Sequence, residues 1–203
     1  QISKSITKLL KKNGVKIYLN SNVDEIITKG NRTTGVFSEG KKFKSDYVIS
    51  NMDIFFTYKK LLKNFDIPKR VSKSERSSSA IIFYWGINKV FKQLDLHNIL
   101  FSENYQNEFE AIFKKGELTN DPTIYINITS KDVPDDAPDG CENWFVMINA
   151  PYNFEQNWDE IILKLRKNII RKINKTLNIN IQEFIKEEKV YTPKTIETIT
   201  QSH

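Results

Sequence analysis

The chain has 203 residues, 39% apolar and 12% aromatic, enough for a core and room for one large domain or for a domain and part of another. No apolar run approaches the roughly 18 residues that cross a bilayer, and the first residues are polar and Lys-rich rather than signal-like, which excludes an integral helical membrane protein. The formal net charge is +6, but Lys residues are interspersed with Asp and Glu; the pattern describes a solvated surface, or a face suited to an anionic membrane, and not a nucleic-acid partner.

Along the chain, Ile2, Ile6, Leu9 and Leu10 recur at helical spacing and stop at Asn13-Gly14, a helix C-terminal signal. Val15, Ile17 and Leu19 alternate with polar neighbours and are expected to form a strand. Val23 to Ile27 follow, Gly30-Asn31 makes a turn, and Thr34 to Phe37 return to a second turn at Glu39-Gly40, giving a small β-meander. Asp46-Tyr47-Val48-Ile49-Ser50 lacks alternation and is expected to be a short strand buried on both faces of a larger sheet.

Beyond Asn51-Met52-Asp53 the character changes. Ile54 to Leu62 reads as a short aromatic-rich helix, Pro68 closes a linker, and Ser77 to Ile87 reads as a long strand. Strands are expected over Ile99 to Ser102, Thr123 to Thr129 and Trp144 to Asn149, with a helix from Glu103 to Lys115 between the first two. Antiparallel pairing fits these spacings. Asn157 and Glu160 resemble a capping box, and Trp158, Ile161, Ile162, Leu165, Ile169, Ile170 and Ile173 form an amphipathic stripe that should cover one face of the sheet. The expected fold class is α+β, a mostly antiparallel sheet backed by helices, joined to a partial β-meander domain.

Candidate chemistry is sparse. Cys141 is the single cysteine, so there is no internal disulfide or thiolate cluster, and two histidines, His97 and His203, are too few soft ligands for zinc. A reducing compartment is expected. Ser77, Ser78 and Ser79 have no local base-bearing motif, which speaks against a serine hydrolase.

Several blocks in order resemble the bacterial-type carotenoid (phytoene) desaturases of the FAD-dependent amine oxidase-like superfamily. These are Gly14-Val15-Lys16-Ile17, Val23-Asp24-Glu25-Ile26, Gly35-Val36 and the Asp46 to Asp53 segment, then Arg76 to Gly86, Leu96-His97-Asn98-Ile99, Asp121-Pro122-Thr123-Ile124-Tyr125 and Ala137-Pro138-Asp139-Gly140. The early β segment is common to many flavoproteins with two dinucleotide-binding domains, whereas the stretch from 76 to 150 is characteristic of the carotenoid branch. Glu142 to Asn149 is most similar to Bacteroidetes enzymes, which include phytoene desaturases and hydroxycarotenoid 3,4-desaturases.

The resemblance implies that residues 1–52 are part of a FAD-binding domain and residues 53–203 a substrate-binding domain. It implies hydride transfer from an isoprenoid polyene to FAD, with Phe83, Tyr84, Trp85, His97, Tyr125, Trp144 and Phe145 as candidate substrate contacts. Each has core packing as its ordinary alternative, and His97 could also assist proton removal. Val23 is carried over as the position whose backbone meets the adenine edge. Asn51 and Asp53 follow the strand that passes near the flavin, and Asp53 has the residue type of a helix N-cap. A carotenoid partner and a peripheral membrane surface in a bacterial cytoplasm are implied as well.

The chain departs from the family's pattern in one decisive way. It holds no Gly-x-Gly-x-x-Gly, its seven glycines are isolated, and the C-terminal glycine-rich flavin segment is absent. With Gln1 in place of Met, and an end at Thr200-Gln201-Ser202-His203, the expectation is an internal stretch of a longer polypeptide. That stretch would retain FAD weakly or not at all and would be inactive without the N- and C-terminal flavin-domain segments. The competing readings are a non-catalytic binder of apolar chains and a flavin oxidase acting on retinoids or amines.

Overall fold

The computed structural model describes residues 2–201; Gln1, Ser202 and His203, on which part of the zinc count and of the chain-end expectation rest, lie outside the described residues. The chain divides into two compact units at Lys73/Ser74.

The first unit opens with helix α1, Ile2–Lys12. The helix ends where Gly14 takes φ +76°, a left-handed conformation that glycine adopts without steric cost. The apolar stripe of α1 carries no buried residue. The meander follows as β1, Val23–Lys29, β2, Arg32–Ser38, and β3, Lys41–Lys44, antiparallel and in chain order. Asp24 fastens the β2–β3 turn by accepting the Glu39 N–H at 3.1 Å, and Ser38 Oγ donates to the Asn22 carbonyl at 2.7 Å. Gly35 has φ +144°, and a Cβ there would run into the Phe43 carbonyl, so the close approach of β2 to β3 needs glycine. Helix α2, Ile54–Phe56, runs on into a π-helical turn, Thr57–Leu61, that packs against β1, and α3, Lys69–Ser72, closes the unit. Ile26 and Phe56 are its buried apolar residues.

Two expectations here are corrected. Neither Val15–Leu19 nor Asp46–Ser50 is a strand, because neither pairs with β1 or β3, the two edges of the meander. A strand is defined by its ladder, and apolar content alone does not supply one. Instead Tyr18 packs edge-on against Phe43, and Tyr47 and Ile49 are 86% and 96% exposed rather than buried on both sides. The first unit runs on to Lys73, past the Asn51–Asp53 segment, because the π-helical turn that follows α2 packs on β1.

The second unit is built on a five-stranded antiparallel sheet in the order β5-β6-β7-β4-β8. Its strands are β4, Ser79–Ile87, β5, His97–Leu100, β6, Ile124–Asn127, β7, Glu142–Ala150, and β8, Ile185–Tyr191. Helix α4, Tyr105–Glu110, continues into a π-helical turn, Ala111–Lys115, and is fixed to the start of β6 by the buried Glu108, which accepts from Thr123 N and Thr123 Oγ1. Helix α5, Trp158–Leu177, is capped by Asn157 and lays Leu165, Ile169 and Ile173 against the sheet, as the stripe predicts. Helix α6, Pro193–Thr200, follows β8 directly, with Thr192 as its cap. Neither β8 nor α6 is foreseen from the sequence, because Ile185–Tyr191 carries four charged residues in a row, Lys186 to Lys189.

Candidate functional site

Side chains alternate across a strand, and here the alternation sorts the aromatic residues of the second unit onto two faces. Ile81, Phe83, Trp85 and Ile87 of β4, Ile124 and Ile126 of β6, and Trp144, Val146 and Ile148 of β7 all enter the core beneath α5. Their neighbours point the other way, to the face opposite α5.

Strand registers place the residues of that second face in two lines, each crossing all five strands. One runs Lys189–Tyr84–Phe145–Asn127–His97, the other Tyr191–Ile82–Met147–Tyr125–Ile99. Four interstrand gaps of about 4.8 Å make each line roughly 19 Å long. The rings touch in sequence. Tyr84 meets Tyr191 at 5.4 Å and Phe145 at 5.5 Å, both edge-to-face, and Phe145 meets Tyr125 at 6.3 Å. Tyr125 in turn stacks on His97, with ring centroids 6.0 Å apart. A shallow cavity of about 460 Å³ opens on the same face, lined by Tyr84, Gly86, Asn127, Asn143, Phe145 and Lys189.

Polar groups gather at the β5 edge of this surface. His97 Nδ1 lies 2.7 Å from the Tyr125 hydroxyl and 3.2 Å from Asn127 Nδ2, and the same amide nitrogen donates to the Leu96 carbonyl at 3.0 Å. At the opposite edge the Lys189 ammonium stands over the Tyr191 ring, 5.1 Å from its centroid. The surface between is apolar or aromatic.

The layer beneath this face is cross-linked by charged and polar pairs. Trp85 Nε1 donates to Glu188, which also receives Arg166 Nε at 2.8 Å, tying β4, β8 and α5 together. Glu142 is buried at the start of β7 and accepts from Phe91 N, Trp144 Nε1 and the Lys131 ammonium, the last at 2.6 Å. Asp121 receives Lys172 Nζ at 2.7 Å and the Glu103 N–H at 2.8 Å. Burial alone would raise this carboxyl, but the Lys172 hydrogen bond, the Glu103 N–H and the charges of Lys172 and Lys175 outweigh it and hold the group below the usual carboxylate range.

Of the residues singled out in the sequence, Tyr84, Tyr125, Phe145 and His97 are brought together on the open face. Phe83, Trp85 and Trp144 lie on the opposite face, 0%, 2% and 1% exposed. Val23 begins β1, an edge strand whose outer backbone groups meet no other strand among the described residues. Asn51 is exposed, and Asp53 caps α2 by accepting from Phe55 N and Phe56 N, the cap that its residue type favours. Asn127, Met147, Ile82 and Tyr191 join the site without having been singled out. The strict alternation of Ile124-Tyr125-Ile126-Asn127 carries the signal for Asn127, which must share a face with Tyr125. A second cavity of about 500 Å³, lined by Leu118, Phe154, Trp158, Ile161, Leu165 and Asn168, contains none of the candidate cofactor or substrate contacts.

Fold and face together define an α+β module whose antiparallel sheet is covered by a helix on one side and presents an extended apolar surface on the other. Its fold is similar to that of a solved Pyrococcus furiosus protein, with a TM-score of 0.57 and 18% identity over 94% of this chain and 41% of that one. No family model matches the chain. In sequence it is 53% identical, along its full length, to 42% of a 1-hydroxycarotenoid 3,4-desaturase of Flavobacterium sp. (strain P99-3). It is also 35% identical, over 97% of the chain and 40% of the relative, to a 4,4'-diaponeurosporene oxygenase of Staphylococcus aureus (strain USA300). The chain belongs to the carotenoid desaturase family. It spans about two fifths of the length of these relatives.

Proposed function

We propose that this chain forms the polyene-contacting part of a FAD-dependent carotenoid desaturase, with residues 53–203 as the substrate-binding portion and residues 1–52 as part of the flavin-binding domain. One observation carries the proposal: the unbroken run of rings Tyr191, Tyr84, Phe145, Tyr125 and His97 across the five strands of the sheet. An isoprenoid polyene has almost no polar handle, so its affinity comes from apolar area, at about 25 cal/mol per Å² removed from water. A flat row of rings about as long as half such a chain supplies that area and fixes the polyene's direction. The relatives' names, a hydroxycarotenoid desaturase and a diaponeurosporene oxygenase, agree with a long polyene ligand.

A flavin, when bound, supplies the hydride acceptor for removal of two hydrogens from adjacent carbons. This chain's own residues would hold the polyene, keep water from the reacting bond and orient it. The first unit fits a flavin only in part. The edge strand β1 leaves backbone groups near Val23 for an adenine edge, while the isolated glycines form no cradle for a pyrophosphate. The exposed apolar side chains of Ile2, Ile6, Leu9, Tyr47 and Ile49 are those of a core completed by further segments of the same polypeptide.

The proposal extends to a cytoplasmic, membrane-peripheral location, since the substrate dissolves in lipid. No helix among the described residues is long and apolar enough to cross a membrane. The successive ring contacts Phe101–Tyr105–Phe109–Phe113 are a candidate for the apolar contact with a bilayer surface; Phe101, Tyr105 and Phe113 are exposed.

The test uses a polypeptide that carries this chain together with a flavin-pyrophosphate loop. Replacing Tyr84 and Phe145 together by Ala should lower kcat/KM for a carotene at least tenfold while flavin absorbance is retained. Unchanged turnover in a variant that keeps its flavin would refute the assignment of this face.

A further inference from the structure

The cavity of about 500 Å³ is lined by α5, away from the aromatic row. Trp158, Ile161, Leu165 and Asn168 recur at helical spacing along its α5 wall, and residues 116–120, which leave the π-helical turn after α4, line it as well. Pro151, Trp158 and Leu165 are buried and give it an apolar floor. The Phe154 ring, half exposed, lies over Gly116 so closely that a Cβ there would stand 2.9 Å from it.

The polar groups of this cavity are unspent. The Thr119 hydroxyl is buried and has no hydrogen-bond partner, and the half-buried Asn168 side-chain amide has none among the described residues. A buried hydroxyl left unpaired costs stability that an oxygen of a ligand would restore. Lys115, Lys164 and Glu117 are exposed at the rim, and none of them makes an ion pair among the described residues. Two ammoniums against one carboxylate leave the rim with an excess of positive charge.

We propose that this cavity binds an acyl chain with a singly charged anionic head, a fatty-acid carboxylate or a lipid phosphate. The chain lies on the floor of Pro151, Trp158 and Leu165, where each Å² removed from water contributes about 25 cal/mol. Lys115 and Lys164 hold the head at the rim, and an oxygen at or near the head accepts from the Thr119 hydroxyl. A neutral isoprenoid would leave the ammoniums and the hydroxyl unused, and a second negative charge on the head would meet Glu117. Lys115 also ends the turn that carries Phe113, the last ring of the Phe101–Tyr105–Phe109–Phe113 run, so the rim adjoins the surface proposed above to touch a bilayer. The pocket does not rest on the polyene reading of the opposite face; only the bilayer as the source of the lipid rests on the location proposed above.

The test uses the polypeptide that carries this chain together with a flavin-pyrophosphate loop, titrated calorimetrically with oleate, 1-oleoyl lysophosphatidylglycerol and 1-oleoyl lysophosphatidylcholine below their micelle concentrations. At least one of the two anionic probes should bind about fivefold more tightly than the zwitterionic one, and this preference should fall to about one in Lys115→Met/Lys164→Met. Tighter binding of oleate assigns the free acid, and tighter binding of lysophosphatidylglycerol assigns the phospholipid head. Ile161→Trp, which fills the cavity, should abolish binding of every probe while flavin absorbance is retained. Equal binding of the three probes, a preference that survives the double substitution, or unchanged binding by a flavin-retaining Ile161→Trp would overturn the proposal. So would no binding at all, as when another segment of the polypeptide fills the cavity. Failure of lycopene to bind the open face would leave each of these outcomes as it stands.

Discussion

Tyr84 and Trp85 are consecutive in β4 and lie on opposite faces of the sheet: Tyr84 is 41% exposed between Phe145 and Tyr191, whereas Trp85 is 2% exposed and donates to Glu188 in the packed layer beneath α5. The pleat assigns one ring to the surface and the next to the core. Trp85→Ala should therefore cost about 4 kcal/mol, the range for truncating a large buried aromatic residue, and Tyr84→Ala only about 1 kcal/mol through its lost cross-strand pairs. Urea denaturation of the two variants checks the contrast; similar losses would mean that the faces are misassigned.

Glu142 is 2% exposed and takes its charge balance from Lys131 alone among the described residues, with Phe91 N–H and Trp144 Nε1–H completing its partners. Lys131→Met should destabilise the chain by about 3 kcal/mol, because it leaves a buried carboxylate without a counterion. Adding Glu142→Gln to Lys131→Met should recover part of the loss, since the amide keeps an acceptor and carries no charge. A double-mutant cycle by denaturation reads this directly, and additive losses would contradict it.

Asp121 has a depressed carboxyl in the folded chain, so its stabilisation is fully present above the unfolded-state value of about 4 and is lost as the pH falls through the lower folded-state value. Because its side chain is 45% exposed, the contribution at neutral pH should be below about 1 kcal/mol and should shrink further in salt. Asp121→Asn should lower stability at pH 7 and converge on the wild type in acid. A gap that widens below pH 4 would reverse the sign of this account.

Much of the second unit is legible in the sequence. The alternation in Ile124–Asn127 gives a strand and its faces, the apolar run Trp144–Ile148 gives a strand without a face, and the periodic stripe of α5 gives the covering helix. The aromatic residues at 83 to 85 and 144 to 145 carry no such signal individually, since composition does not say which of two adjacent rings turns inward. β8 is silent because its outer positions carry Lys and Glu, and its strand character comes from pairing with β4 in the structure. In the first unit the apolar segments at 15–19 and 46–50 suggest strands that find no partner among the described residues.

The central claim is that the open face of the sheet binds a polyene, and lycopene binding to the chain and to Tyr84→Asp tests it most directly. A charge in the middle of the row cannot be desolvated by an apolar ligand. The account expects saturable binding by the wild type, at least tenfold weaker binding by Tyr84→Asp, and an unfolding midpoint that falls by only a few degrees. A folded Tyr84→Asp chain that binds lycopene as tightly as the wild type would contradict it.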